Sequence, residues 1–193
     1  MKHSLPTRLA PLALALAASL AQPAQAQVVN GDFSAGLAGW TTIGDASTKA
    51  AGATEPSRLW LTTASVAYDD DVDFGFAAGA RNASGVAAVD NGTGDIEAFT
   101  GAPAGAFAAA YEGSAAKQSF TAAAGSKLSF RWDLGTVDTS RDPAVADAAF
   151  VVIDGQVKTL ADITAANQPG ADGNASRTGW ASFDFTFAST GVH

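Results

Sequence analysis

The chain contains no cysteine, and its two histidines, His3 and His193, lie at its two ends. Disulfide bonds are therefore excluded as a source of stability. Without residues 1–26, which we interpret below as a leader, no thiol remains and the one imidazole left is that of the last residue. Catalytic centres that pair His with Ser or Cys are excluded on this ground, and so are zinc sites built from His and Cys.

Basic residues are also scarce, with 11 Lys and Arg against 19 Asp and Glu and a formal net charge of −8. Loss of Lys2 and Arg8 with the leader would change this charge to −10. Nucleic acids and anionic membrane surfaces bind proteins that present a basic face. We therefore expect neither class of partner.

The first 26 residues have the features of a secretory signal peptide. Lys2 and Arg8 form a basic start, Leu9 to Leu20 form a short apolar core, and Ala24-Gln-Ala26 is a small-x-small cleavage site. The apolar run is too short to span a bilayer, which takes about 20 residues. We therefore predict cleavage after Ala26, a mature chain without a membrane span, and a secreted protein that is extracellular or lies on the cell surface. Residues 27–193 are long enough for a single domain.

Four strand patterns follow one another in the second half of the chain. Lys127 to Leu134 alternates apolar and polar side chains, which predicts a half-buried strand. Ala148 to Ile153 is apolar on both faces, as in a central strand. Asp154-Gly155 links it to Gln156 to Leu160, and a two-residue Asp-Gly link predicts a hairpin with a type I′ turn. Phe183 to Phe187 alternates again and predicts one more half-buried strand.

The first half has weaker patterns. We predict a strand over Val28 to Phe33, a glycine-rich bend, a second strand that starts at Trp40, and a third over Arg58 to Thr63. Asp95 to Phe99 is a short element of undefined type.

Two stretches of small and polar residues separate these patterns. Gly44 to Pro56 is predicted to be a loop, and Tyr68 to Gly94 a long surface excursion. Short strands divided by such segments are typical of an all-β protein. We predict one antiparallel β-sandwich, most consistent with a jelly roll.

Two sets of motifs resemble known families. Asn30-Gly-Asp-Phe33 followed by Gly36-Leu-Ala-Gly-Trp40 resembles the N-terminus of carbohydrate-binding-module-like jelly rolls. The later motifs are similar in order to those of exported bacterial PEP-CTERM-type β-sandwich proteins: Glu97-Ala-Phe-Thr-Gly101, Glu112-Gly-Ser114, Leu128-Ser-Phe-Arg-Trp132 and Phe150 to Gly155. The resemblance implies a jelly roll, export and polysaccharide binding. Sequences that resemble this one continue with two more strands, so we expect a sandwich that lacks its last strands.

Calcium is the one cofactor that the sequence suggests. In the resembling binding modules, a Glu after the Phe of the first motif helps to hold a structural calcium ion, and this chain has Ser34 there. Asp69, Asp71 and Asp73 have the 1, 3, 5 spacing of an EF-hand loop, although Phe74 stands where that loop requires Gly. The cluster is either a cation site or a solvated acidic turn.

Sugar binding requires exposed aromatic faces beside polar groups. Trp132 lies on the same face of its predicted strand as the apolar residues, so it is assigned to the core. Trp40 is assigned to the core as well. Trp60 and Trp180 are the better candidates for a platform on which a ligand stacks, and Tyr68 and Tyr111 rank behind them.

Three functions follow from these observations. The sequence favours an exported, non-catalytic cell-surface or extracellular-matrix module that binds polysaccharide. A purely structural exopolysaccharide or biofilm protein without a ligand site is the alternative. A glycan hydrolase with Glu97 and Glu112 as its acid and base is favoured least, because nothing in the sequence supplies a cleft for them. The sequence favours instead a structural role, in which the two side chains cap turns or bond backbone amides at a sheet end. Nothing in the sequence predicts an oligomeric state.

Overall fold

The computed structural model describes residues 26–53, 55–64, 81–90, 92, 94–137, 147–171 and 173–193. Residues 1–25 of the predicted leader lie outside these ranges. The described part contains one α-helix, α1 (Asp95–Thr100), and fifteen strands. The strands are β1 (Thr41–Ile43), β2 (Ala46–Lys49), β3 (Arg58–Leu61), β4 (Val89–Asp90), β5 (Glu112–Gly113), β6 (Ala115–Lys117), β7 (Thr121–Ala122), β8 (Lys127–Trp132), β9 (Gly135–Thr136), β10 (Ala148–Ile153), β11 (Gln156–Asp162), β12 (Gln168–Pro169), β13 (Ser176–Arg177), β14 (Ala181–Thr186) and β15 (Gly191–Val192).

The predicted all-β class is confirmed, and every ladder between described strands is antiparallel. Six ladders join two strands each: β1 with β6, β2 with β3, β4 with β5, β7 with β15, β8 with β14, and β10 with β11. Two further ladders join β12 to β13 and β13 to β9, in a three-stranded sheet with the order β12, β13, β9. The jelly-roll topology remains a prediction.

The longest regular ladder joins β8 to β14, with six residue pairs from Trp132 opposite Ala181 to Lys127 opposite Thr186. Exposed and half-buried positions alternate along both strands, as predicted. Phe130 and Phe183 lie opposite each other on the half-buried face, with ring centroids 5.1 Å apart. Trp132, predicted to be core, is half-buried on that same face.

The β10–β11 hairpin is also confirmed. Asp154 and Gly155 join the strands with φ of 52° and 73°, the positive values that a type I′ turn requires. The prediction of a central position for β10 is not met in the described part, where its only ladder is with β11. Phe150 on β10 is 38% exposed, because its ring packs on Phe107 at the protein surface and not between two sheets.

The main core forms where separate ladders meet. Its buried centre consists of Ala122 on β7, Ile153 on β10, and Phe187 just after β14. Half-buried apolar side chains pack around this centre: Ala26, Phe120, Leu128, Val151, Phe183 and Phe185. The apolar faces of the β8–β14 ladder and of the β10–β11 hairpin therefore contact one another, which gives the fold its sandwich-like character.

The predicted strand over Val28 to Phe33 is wrong, and the segment forms consecutive turns. Asn30 and Phe33 have positive φ, 50° and 54°. The Asn30 amide donates to the carbonyl of Gly36 at 2.8 Å and accepts from the Ala35 amide at 3.0 Å. A side chain that binds the local backbone in this way competes with ladder formation.

Two further assignments change. Gly44 to Pro56 is not all loop, because β2 lies within it and pairs along its whole length with β3. Asp95 to Phe99 belongs to α1, which is flanked by Gly94 and Gly101, both in the left-handed conformation. Glycine tolerates that conformation at helix ends, so the two residues fix the limits of this one short helix.

Candidate functional site

An open cavity of about 420 Å³ lies where β4, α1 and the chain before β5 meet. The side chains on its wall that carry polar groups are Asp90, Glu97 and Tyr111. Small residues make up the rest of the described wall: Gly92, Gly94, Gly105, Ala108 and Ala110. We call this cavity the Tyr111 cleft.

Strand pairing brings acidic residues to this place. In the β4–β5 ladder, Asp90 lies directly opposite Glu112. Residues opposite each other in an antiparallel ladder project to the same face, with Cβ atoms about 5 Å apart. The next residue, Gly113, leaves room for α1, because a Cβ atom added to it would lie 2.7 Å from Cδ1 of Ile96. The helix that carries Glu97 therefore packs directly against β5.

Glu97 is 5% exposed even though it lines the cleft. Its Oε1 accepts a hydrogen bond of 3.0 Å from the backbone amide of Phe107. Its Oε2 is buried and has no hydrogen-bond partner within the described chain. A Cβ atom built on Gly94 would lie 3.9 Å from this oxygen, so Oε2 lies close to Gly94, another residue of the cleft wall.

Tyr111 is 70% exposed and forms the aromatic part of the wall. The segment before it is a series of turns, in which the amides of Ala106, Ala108 and Ala110 each donate to a carbonyl three residues earlier. Phe107 anchors this segment, because its buried ring contacts Phe150 at a centroid distance of 4.9 Å. The ring of Tyr111 is thus held beside the cleft by a packed loop.

Trp60 does not line the cleft. Nζ of Lys49 lies 3.4 Å from the centroid of its ring, and the guanidinium carbon of Arg58 lies 5.9 Å away. The side chain is half-buried. A cation that covers a ring face at this distance takes the place in which a sugar would stack.

Trp180 also lies outside the cleft wall and is half-buried. Its indole Nε1 donates to Oε2 of Glu55 at 2.7 Å. The guanidinium carbon of Arg131 lies 5.0 Å from its ring. These contacts fix the indole between two charged side chains, so Tyr111 is the more accessible platform.

The fourth aromatic candidate, Tyr68, and the aspartates Asp69, Asp71 and Asp73 lie outside the described residues. Within the described ranges, no three Asp, Glu or His side chains are grouped to hold a metal ion. Ser34 stands where the resembling binding modules have Glu, and its amide and hydroxyl donate to Oδ1 of Asp32 at 3.2 and 2.9 Å. These bonds, led by that of the amide, lower the pKa of Asp32. Structural calcium stays a prediction.

Sequence reasoning missed two acidic residues. Asp90 fell within the stretch interpreted as a surface excursion, and a two-residue strand is too short to give a periodic signal. Asp45 fell within a predicted loop, yet it is fully buried. Its carboxylate accepts hydrogen bonds from the backbone amides of Ala83 and Ser84, both at 2.8 Å, and from the hydroxyl of Thr62.

The side chains of the cleft offer hydrogen-bond acceptors and one aromatic face. Carboxylate oxygens accept hydrogen bonds from hydroxyl and amine groups, and a phenol ring offers an apolar face with one polar end.

Across the described residues, no helix is both long enough and apolar enough to traverse a lipid bilayer. Comparison of the chain with protein-family models, with curated protein sequences and with solved structures found no match.

Proposed function

We propose that this protein is an exported, non-catalytic module of the cell surface or extracellular matrix, and that it binds polysaccharide at the Tyr111 cleft. The observation that supports this function is the position of Tyr111, which is 70% exposed on an open cavity beside two carboxylates. An exposed ring can stack on the C–H face of a sugar, while Asp90 and Glu97 accept hydrogen bonds from its hydroxyl groups.

Binding to insoluble polysaccharides tests this proposal. Residues 27–193 are incubated with a panel of neutral, acidic and amino-sugar polymers, and retained protein is then eluted with the matching soluble oligosaccharide. We expect retention that saturates and that soluble sugar competes away. Absence of saturable retention on every polymer contradicts the proposal and supports the alternative, a structural matrix protein without a ligand site.

Two variants locate the site. Tyr111→Ala removes the exposed ring, and we expect it to reduce retention at least about tenfold, since hot-spot aromatic residues cost 2 kcal/mol or more when truncated. Trp60→Ala is the matched control, because it removes an aromatic ring that does not line the cleft. Loss of retention in the Trp60 variant alone would move the site to β3.

The same samples test for hydrolysis. A carboxylate-based hydrolase would release new reducing ends from a soluble substrate and would lose this activity in Glu97→Gln and Glu112→Gln. We expect no release by the unaltered protein. Release that depends on both glutamates would contradict the non-catalytic assignment.

A further inference from the structure

The Tyr111 cleft contains a buried carboxylate oxygen that no described group satisfies. Oε2 of Glu97 belongs to a side chain that is 5% exposed, and it has no hydrogen-bond partner in the part of the chain that the structure describes. A buried polar atom without a partner costs free energy, so it calls for a specific explanation. Because Glu97 lies on the cleft wall, a ligand in the cleft could supply the hydrogen-bond donor that Oε2 lacks.

The charge of the cleft indicates what kind of donor this is. The charged side chains on its described wall, Asp90 and Glu97, are both acidic, and Glu112 lies opposite Asp90 in the ladder. None of the described wall residues is basic. A wall of one sign raises the local concentration of the opposite charge, and a charged donor bonds to a carboxylate about twice as strongly as a neutral one.

The ring of Tyr111 adds a second element of recognition. A tyrosine face attracts both the C–H face of a pyranose and a neighbouring cation. A sugar that carries a positive charge would interact favourably with both the ring and the carboxylates.

We infer that the cleft selects a cationic saccharide, namely a polymer of hexosamine whose amine is free and protonated. The ammonium group lies against Glu97 and Asp90, and the sugar ring lies against Tyr111. This inference rests on the proposed function, because it specifies which polysaccharide the cleft binds. It also predicts rejection of polymers of uronic acids, whose carboxylates would face those of the protein.

Isothermal titration calorimetry with two matched probes tests the inference. The probes are the tetramer of glucosamine and the tetramer of N-acetylglucosamine, which differ in charge and in the acetyl groups. Titrations are run at about pH 6, with EDTA present so that no metal ion bridges the partners. We expect the glucosamine tetramer to bind at least about tenfold more tightly, and the ratio to shrink as salt is added.

Variants assign the effect to the cleft. Glu97→Gln keeps an acceptor for the Phe107 amide but removes the charge, and we expect it to reduce the preference for glucosamine about tenfold. Asp90→Asn, at an exposed position, serves as a second test if Glu97→Gln fails to fold. Asp184→Asn is the control for net charge, because Asp184 lies on the exposed face of β14, bonded to Ser129, and we expect no change.

The outcomes separate the two proposals. Equal affinity for both tetramers, or a preference that survives both cleft variants, overturns the cationic selection and leaves polysaccharide binding in place. Binding of neither tetramer, together with no retention on any polymer, overturns both.

Discussion

The carboxylate of Asp45 accepts a hydrogen bond of 2.8 Å from the backbone amide of Ser84, 39 residues further along the chain. The same carboxylate binds the amide of Ala83 and the hydroxyl of Thr62, and it is fully buried. It thus ties the β1–β2 turn to the segment that leads into β4 and the Tyr111 cleft.

Asp45→Ala should therefore destabilise the whole domain. The substitution leaves two backbone N–H groups and one hydroxyl without their acceptor, which we expect to lower the free energy of unfolding by about 3 kcal/mol. Urea unfolding followed by tryptophan fluorescence measures the change. Asp184→Asn, on the exposed face of β14, keeps an acceptor for the Ser129 hydroxyl; it is the control and should change stability by less than about 0.5 kcal/mol. Equal, small losses in both variants would mean that the buried carboxylate does not hold these segments together.

The β10–β11 turn gives a second prediction. Gly155→Ala places a Cβ atom at φ of 73°, and 3.1 Å from the carbonyl oxygen of Gly101. We expect a loss of about 1–2 kcal/mol in the free energy of unfolding, because a left-handed conformation disfavours any residue with a Cβ atom. Gly52→Ala is the matched control, since its Cβ atom would meet nothing within 4 Å. Comparable stability of the two variants in urea would contradict a strained turn.

What the sequence could predict depended on the length of each element. The strands β8, β10 and β14 and the Asp154-Gly155 turn are all predicted by the sequence, because alternation in β8 and β14, an uninterrupted apolar run in β10 and an Asp-Gly pair are strong local signals. Tyr111 is among the platform residues that the sequence suggests, behind Trp60 and Trp180, and its role as a platform stays a prediction. A local signal of this kind needs no knowledge of the rest of the fold.

The features that the sequence does not predict depend on contacts between segments that are distant in the chain. No local pattern shows that Asp45 is buried by segment 81–90, or that Asp90 pairs with Glu112. The cations beside Trp60 and Trp180 are supplied partly by neighbouring strands, since Arg131 lies on β8. Alternation can tell which side of a strand a tryptophan occupies, but it cannot tell what covers that side.

Trp180→Ala tests whether this indole serves the fold or a ligand. Its hydrogen bond to Glu55 and its contact with Arg131 indicate a structural role. We expect a loss of about 2 kcal/mol in the free energy of unfolding and unchanged glycan retention at temperatures where the variant is folded. Loss of retention with unaltered stability would instead make Trp180 a platform.

The calcium hypothesis makes a prediction of its own. If Asp69, Asp71 and Asp73 hold a calcium ion in the native state, chelation by EDTA lowers the melting temperature by several degrees, since a ligand that binds only the native state stabilises it. Asp71→Asn should then remove the difference between samples with calcium and with EDTA. Differential scanning calorimetry measures both, and an unchanged melting temperature of the unaltered protein rejects the hypothesis.

Asp162 gives a prediction about pH. The hydroxyl and then the backbone amide of Thr164 donate to its carboxylate, and these bonds lower its pKa in the folded protein. A carboxyl with a lowered folded pKa stabilises the protein above its unfolded pKa, and this contribution is lost as the pH falls through the folded value. Thr164→Ala removes the hydroxyl, so the pKa of Asp162 should rise part of the way to its ordinary value.

Carbon-detected NMR titration of the side-chain carboxyls measures this change. Asp32, whose pKa is lowered by bonds from Ser34, is the internal control and should titrate identically in both proteins. An unaltered titration of Asp162 would show that the hydroxyl does not set its pKa.

The strands around the Tyr111 cleft are among the shortest in the described fold. Strands β4 and β5 have two residues each and α1 has six, whereas β8 and β14 share six residue pairs. Few ladder hydrogen bonds have to break for the elements around the cleft to separate. The free energy of this local opening, measured by hydrogen exchange of the backbone amides, should therefore be well below the free energy of global unfolding. A ligand held between Tyr111 and Glu97 would suppress that opening, so occupancy of the cleft and order in its walls would rise together.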